Sequence, residues 1–369
     1  MRNKVTAIAF IIFILFFFFF FWVLPDREFS DMENRNLATF PEFTVKSFLD
    51  GGFTSDFEEY MSDQMIFKDA LVQLKVDGVK SIGQKLINGV FFGEDGYLIQ
   101  QYGQPTEQLD KNIAAVKSFA ENTKLPVTLL MVPNASEIYP EKLPALTSCY
   151  SQAEVIADMK RSLGDVVTFA DATDTLLKHK EENLYFRTDH HWNMLGAYYG
   201  YQVLCEAMDI EAKPLSDYQV VTGSEAFYGS LYSKAPSVAI RPDILTIYEN
   251  PKGIYTVNYV QEGKSANDLY ARENLEIKDK YTVFLGGNHP YITIESNAES
   301  EEKVLVIKDS YAHDLLPFLA DTYAHLYVLD LRYFHNSLEQ FIEENGIDRV
   351  VFIHNVDFIS TDVNFIWLE

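Results

Sequence analysis

Lys303-Val304-Leu305-Val306-Ile307-Lys308-Asp309-Ser310-Tyr311-Ala312-His313 decides the fold of this chain. Val304 to Ile307 is an unbroken apolar run, and three of its four members are β-branched. Such a run, with no polar alternation, reads as a strand covered on both faces, which is the habit of parallel sheets. A helix is expected over 311–320, despite Pro317. The same grammar repeats outward. Buried strands are expected at 126–133, 166–170, 325–331 and 349–353. Helices are expected at 106–122, 153–163, 173–179, 193–208 and 338–345. Residues 281–285 read as one more strand-like run, and 218–258 as loops and edge strands. Strands alternating with helices predict an α/β fold: three layers, α/β/α, around a mostly parallel sheet.

The bulk numbers bound what this fold serves. A chain of 369 residues suits one large α/β domain with appendages, or two domains. Hydrophobic residues make up 47% and aromatics 14%, so the chain is globular rather than disordered. A formal net charge of -24 lacks the basic footprint that phosphate backbones require, which excludes nucleic acid as a partner. The two cysteines, Cys149 and Cys205, are too few for a tetrahedral zinc site of their own. They read either as one extracellular pair or as two free thiols.

The N-terminus sets the compartment. Arg2 and Lys4 precede an uncharged apolar run, Val5 to Leu24, with six consecutive phenylalanines at positions 16–21. About 20 residues at 1.5 Å each cross ~30 Å of hydrocarbon. Basic residues before the run place the N-terminus in the cytoplasm and the rest outside. A cleaved signal peptide is the alternative, but Trp22-Val23-Leu24-Pro25 offers no small-residue cleavage site. We expect an uncleaved single-pass anchor over 1–25. A tether, an amphipathic helical region over 54–87 and a hairpin about Gly93–Gly96 fill 26–105 and are expected to pack on the main domain, 106–369.

Ligands of open parallel sheets bind beyond the carboxyl ends of the strands. Ser310 stands at such an end, where an exposed hydroxyl meets helix N–H groups that suit a developing oxyanion. It equally suits a simple helix cap. A nucleophilic serine needs a base, and the base an orienting acid. Arg187-Thr188-Asp189-His190-His191-Trp192-Asn193 supplies both types within a few residues. In an extended or turn segment, Asp189 and His191 project to one side, so the carboxylate can meet the imidazole. His190 then points away, and Trp192 walls the pocket or packs beneath it. A pair of satisfied buried histidines, or a metal site recruiting His289, His313 and Asp314, are the competing readings, the latter without the further ligand motifs it needs. Gly286-Gly287-Asn288 offers close backbone approach and an amide donor to an oxyanion, or merely a tight turn before Pro290.

These residues resemble the DHHW proteins of Gram-positive bacteria, which are similar to the SGNH-hydrolase-like domains of alginate O-acetyltransferase proteins. The signature is Thr188-Asp189-His190-His191-Trp192-Asn193. Supporting segments are Glu33-Asn34-Arg35, Gly93 with Gly96-Tyr97-Leu98, Val132-Pro133 with Ile138-Tyr139-Pro140, Phe227-Tyr228-Gly229-Ser230-Leu231 and Asp330-Leu331-Arg332-Tyr333-Phe334. The resemblance thus covers nearly all of the chain after the anchor. It implies that Asp189 is the acid, His191 the base and Ser310 the nucleophile; no metal and no cofactor are expected. The nucleophile motif departs from the usual Gly-Asp-Ser, since Lys308 replaces the glycine.

The expectation that follows is a membrane-anchored, extracytoplasmic serine O-acetyltransferase or esterase acting on a cell-surface polysaccharide. The resemblance implies a membrane-bound O-acyltransferase as partner. Gly287 and Asn288 are expected at the oxyanion and Arg332 at the substrate. The rival expectation is a non-catalytic glycan-binding or assembly protein that keeps the fold.

Overall fold

A computed structural model describes residues 2–368; Met1 and Glu369, which the expected segments 1–25 and 106–369 include, lie outside the described residues. The chain forms two compact units. One comprises Met1–Asn88 with Tyr232–Ile240, the other Gly89–Leu231 with Arg241–Glu369.

The first unit begins with a helix, Arg2–Val23. Its Lys4–Val23 stretch has a mean hydropathy of 2.8 and is long and apolar enough to cross a membrane. The helical region resolves into two helices, Gly52–Asp63 and Lys68–Ser81. Phe67, which begins the second helix, takes a positive φ of 63° and so separates it from the first. Asp63 is buried and ion-paired with Arg35 at 2.5 Å and Lys68 at 2.9 Å. Burial alone would raise its carboxyl, but these two cations outweigh burial and hold it well below the usual carboxylate range. Ser237, from the second stretch of this unit, donates to Asp77 at 2.5 Å.

The second unit is built on an eight-stranded sheet. We number its strands β1 (Val127–Val132), β2 (Thr168–Asp171), β3 (Tyr255–Tyr259), β4 (Lys264–Ala266), β5 (Tyr291–Ser296), β6 (Ser300–Lys308), β7 (Tyr323–Leu329) and β8 (Arg349–Asn355). The spatial order is β4-β3-β5-β7-β6-β8-β1-β2. The five strands from β7 to β2 run parallel, and β5, β3 and β4 extend the sheet antiparallel. The unit is therefore α/β, with a large and mostly parallel sheet as its scaffold.

Side-chain alternation shows why the central runs are apolar throughout. Leu129, Met131, Leu305, Ile307, Val350 and Phe352 join one core with the helices Glu107–Asn122, Gln152–Leu163 and Leu338–Asn345. Their neighbours Leu130, Val304, Val306, Val351 and Ile353 point the other way and are also fully buried. The helix Met194–Ala207 packs against β1 and β2. A strand with a covered face on both sides has no position left for a polar residue, which is the physical origin of the unbroken run at 304–307.

Two expected elements differ. The helix over 311–320 is a 3-10 turn, Ser310–Ala312, followed by a short helix, Leu316–Ala320. Pro317 is responsible, because it lacks an N–H and fits only the first turn of a helix. The strand-like run at 281–285 is a 3-10 turn, Lys280–Val283, and Leu285 beyond it has a φ of 57°. Only an isolated bridge, Tyr270 with Phe284, remains of strand pairing there. The hairpin pairs Val90–Phe92 with Leu98–Gln100, and 219–227 pairs with 243–249 as a separate antiparallel ribbon. Cys149 and Cys205 are both free thiols, and burial pushes Cys205 up to about 12.

Candidate functional site

The site forms at the carboxyl end of the parallel strands. Ser310 follows β6 directly, and Asp309 fixes that junction. One Asp309 oxygen accepts from Tyr311 N at 2.8 Å, the other from Asn355 N, at the end of β8, at 2.7 Å. The turn carrying the serine is thereby tied to two adjacent strand ends.

The second half arrives on the loop before the helix Met194–Ala207. Asn193 caps that helix, accepting from Leu195 N and Gly196 N. Upstream, Asp243 clamps the loop: one oxygen takes Thr188 N at 2.8 Å and Thr188 Oγ1 at 2.6 Å, and the other takes Arg187 N at 3.1 Å. Trp192 is completely buried beneath the loop and donates Nε1 to Tyr311 O at 2.9 Å and Asp314 Oδ1 at 2.7 Å. A Cβ on Gly200 would come within 2.4 Å of the indole, so the glycine is the slot into which the tryptophan fits. The indole thus joins the loop to the chain just beyond Ser310.

These constraints bring Asp189, His191 and Ser310 into line. His191 Nδ1 lies 2.6 Å from Asp189 Oδ1, and His191 Nε2 lies 2.8 Å from Ser310 Oγ. With a carboxylate on one side, the ring carries its proton on Nδ1 and presents Nε2 as acceptor to the hydroxyl. Asp189 also takes His191 N at 3.0 Å and Ser230 N at 2.6 Å. Burial alone would raise its carboxyl; the neighbouring His190 and His191 and these hydrogen bonds outweigh burial and hold it far below the usual carboxylate range. The acid therefore stays ionised, as an orienting group should. Asp189 and His191 are buried while Ser310 is partly exposed, so the line runs from protected acid to accessible hydroxyl.

Ser310 and His191 approach each other across 119 residues of sequence. Other contacts were not foreseeable from local pattern. Tyr281 stacks on the His191 ring, with centroids 3.8 Å apart and planes 6° from parallel, and its hydroxyl donates to Ser310 O at 3.0 Å. Gly229 lies so close to Asp189 that a Cβ would stand 2.3 Å from its carboxylate, which explains the Gly229-Ser230 pair: backbone must approach there to donate. His190 sits beside the line, its Nδ1 2.6 Å from Ser230 Oγ and its ring 3.8 Å from that of His191.

The remaining expected residues form a neighbouring group. Asn288 Oδ1 accepts from Arg332 at 2.9 Å. Gly287 N donates to Phe284 O within its own turn at 3.2 Å. Among the described residues neither hydrogen-bonds to Ser310 or His191. Arg332 is paired with Asp330 at 2.6 Å and lies against the rings of Tyr333 and Phe358. Lys308, in the position of the missing glycine, is buried. Its Nζ donates to Asp330 at 2.9 Å and to His313 Nε2 at 2.8 Å. Burial raises Asp330 but Lys308 and Arg332 outweigh it, bringing the carboxyl down to about 2. Asp189, His190 and His191 hold their ligand atoms within 4.8 Å of one another. That cluster is the acid–base pair with its neighbour, and His191 already has a partner at each ring nitrogen.

The DHHW protein family matches residues 102–329, which spans all three members of the line. The chain belongs to the DHHW protein family. Among solved structures, it is similar to a DHHW family protein from Eubacterium siraeum, with 27% identity over 76% of this chain and 95% of that one and a TM-score of 0.66. It is also similar to PatB1 of Bacillus cereus, described with a sulfonyl adduct, at 23% identity over 75% of this chain and 97% of that one, TM-score 0.64. A weaker likeness runs to the O-acetyltransferase domain of Pseudomonas putida AlgJ, at 17% identity over 74% of this chain and 93% of that one, TM-score 0.48. No curated protein sequence matches the chain. The four letters of the DHHW name are here Asp189, His190, His191 and Trp192. In physical terms they are a buried carboxylate, a flanking ring, the imidazole between that carboxylate and Ser310, and a buried tie.

Proposed function

We propose that this DHHW protein is a membrane-anchored, extracytoplasmic serine O-acetyltransferase or esterase of a cell-surface polysaccharide. The observation that carries this reading is the continuous hydrogen-bonded line Asp189–His191–Ser310, at 2.6 and 2.8 Å, ending in a partly exposed hydroxyl. Ser310 Oγ attacks the carbonyl of an acyl ester while His191 Nε2 takes its proton. The imidazolium returns that proton to the departing alcohol, leaving an acyl-serine. A sugar hydroxyl or water then gives its proton to His191 and attacks the acyl-serine, which frees the product and restores the hydroxyl. Asp189 remains ionised and stabilises the imidazolium in both halves.

Ser310 N, which no described group accepts, is the first oxyanion donor in this proposal. Gly287, Asn288 and Arg332 form the substrate-binding group beside it, with the Arg332 guanidinium against the rings of Tyr333 and Phe358. The N-terminal helix tethers the chain to the membrane, with the rest outside the cytoplasm. A membrane-bound O-acyltransferase would deliver the acyl group there.

A sulfonyl fluoride tests this directly, since such reagents capture activated serine hydroxyls. The purified chain should take one adduct, on Ser310, and should release p-nitrophenol from p-nitrophenyl acetate. His191→Ala should lose both properties. If Ser310 stays unlabelled, and Ser310→Ala cells keep their wall acetylation, the catalytic reading is wrong and a glycan-binding role takes its place.

A further inference from the structure

The first unit carries an apolar surface that its own fold leaves open. On the helix Gly52–Asp63, Phe53, Phe57, Tyr60 and Met61 recur at three- and four-residue spacing and form one stripe. Met61 and Met65 are each 40% exposed, and Leu71 on the next helix is 39% exposed. Phe57, Met61, Met65, Ile66 and Leu71 form one wall of a groove of about 500 Å³. The opposite wall is the N-terminal helix, through Phe13, Phe17, Phe18, Phe21 and Trp22.

The depth of that groove follows from helix geometry. Phe13 lies about nine residues before Trp22, which is roughly 14 Å along the axis at 1.5 Å per residue. If Val23 ends the span, Phe13 sits near the middle of a ~30 Å hydrocarbon layer. Tyr60 marks the upper rim. Its ring contacts Phe21 at 5.5 Å and its hydroxyl donates to Asp26 at 2.9 Å, just past the span. An aromatic ring with a polar tip belongs at that boundary. The side chains facing Phe13 and Phe17 therefore lie below it. Charges near this level are paired within the unit: Arg35 and Lys68 both bind Asp63, and Lys68 also binds Glu33. Glu58 and Glu59 are exposed on the helix away from the stripe.

We propose that the two helices dip into the outer leaflet beside the anchor, with Phe57, Met61, Met65 and Leu71 in contact with lipid acyl chains that fill the groove. The occupant follows from the groove itself, because one wall is the span, and whatever solvates the span also meets the other wall. The chain then has a second, interfacial attachment that sets its height and tilt on the membrane. This inference rests on the anchor reading.

The test uses the full-length chain in phosphatidylcholine vesicles, with Cys149 and Cys205 replaced by alanine. An environment-sensitive fluorophore is attached through Met61→Cys, Met65→Cys, Glu58→Cys or Phe18→Cys, one at a time. Quenching by acyl-chain nitroxide lipids is compared with quenching by aqueous iodide. The expected result is lipid quenching at positions 18, 61 and 65, at least threefold above that at position 58. Lipid quenching at 18 with iodide quenching at 61 and 65 overturns the docking and leaves the anchor intact. Shielding of 61 and 65 from both quenchers also overturns it, and assigns the groove to a protein or a second copy. Equal lipid quenching at 58 and 61 overturns the one-sided insertion. Iodide quenching at position 18 removes the anchor reading itself.

Discussion

Two polar groups flank the end of β6, and they are built on opposite plans. The Asp189–His191–Ser310 line is a chain with one end open: each member hands its hydrogen bond to the next, and the last is an accessible hydroxyl. The Lys308–Asp330–Arg332 group closes on itself, with Lys308 and Asp330 buried and every charge met by another. Both hold ionised carboxylates in the interior, and in both, nearby cationic or imidazole partners outweigh the cost of burial. The difference lies in what is left over. The open chain ends in a hydroxyl within hydrogen-bond reach of an imidazole nitrogen; the closed group fixes the geometry of the strand end and the position of Arg332. Polar burial alone is thus no mark of chemistry, and the direction in which the hydrogen bonds run is the better guide.

Ser310→Ala is the strongest test of that contrast. Removing the open end should lower ester turnover at least ~10⁴-fold, while the melting temperature stays within a few degrees of the parent. The closed group should respond the other way. Lys308→Met leaves Asp330 with Arg332 alone and strands His313, whose Nδ1 already has no described partner. Breaking a buried pair in this manner costs ~3–5 kcal/mol, to be read by denaturant unfolding. If Lys308→Met instead kills turnover without loss of stability, the closed group belongs to the chemistry and the contrast fails.

Legibility followed the same divide. The core strands were readable because 304–307 and 127–132 are apolar at nearly every position, and that pattern has one physical cause, a sheet covered on both faces. The pairing of Asp189 with His191 was readable, because the two stand two apart before an asparagine cap. Ser310 was readable as a strand-end hydroxyl, though local sequence also allowed a cap. The rest depended on contacts distant in sequence. Nothing near Asp243 announces that it clamps Thr188. Tyr281 stacks on His191 from a run that resembles a strand and is a 3-10 turn. Lys308 read as a departure from a motif, and its partner Asp330 lies just past the end of β7. The spacing of Gly196 and Gly200 after Trp192 was a signal that a bulky ring packs there.

The pH dependence of stability sharpens the closed group further. Asp330 sits at about 2 in the folded chain, against an ordinary value of 3.8. A depressed carboxylate contributes stability that is complete above its unfolded value and is lost as pH falls through its folded one. The contribution should therefore be present above pH ~4 and fade towards pH ~2, by roughly 2 kcal/mol. Asp330→Asn should flatten that part of the acid-unfolding profile. An unchanged profile would show that Lys308 and Arg332 do not hold the carboxyl down.

The smallest expected effect tests the open chain at its side rather than its end. Tyr281 does two things at once: its ring lies flat on His191, and its hydroxyl holds the Ser310 carbonyl. Tyr281→Phe keeps the first and removes the second, a single neutral hydrogen bond worth about 1 kcal/mol. Turnover should fall less than ~10-fold. Tyr281→Ala removes the stacked ring as well, exposes the imidazole to water and frees it to turn. The rate should then fall further. Equal behaviour of the two variants would mean that the hydroxyl alone matters and that the ring contact is incidental packing.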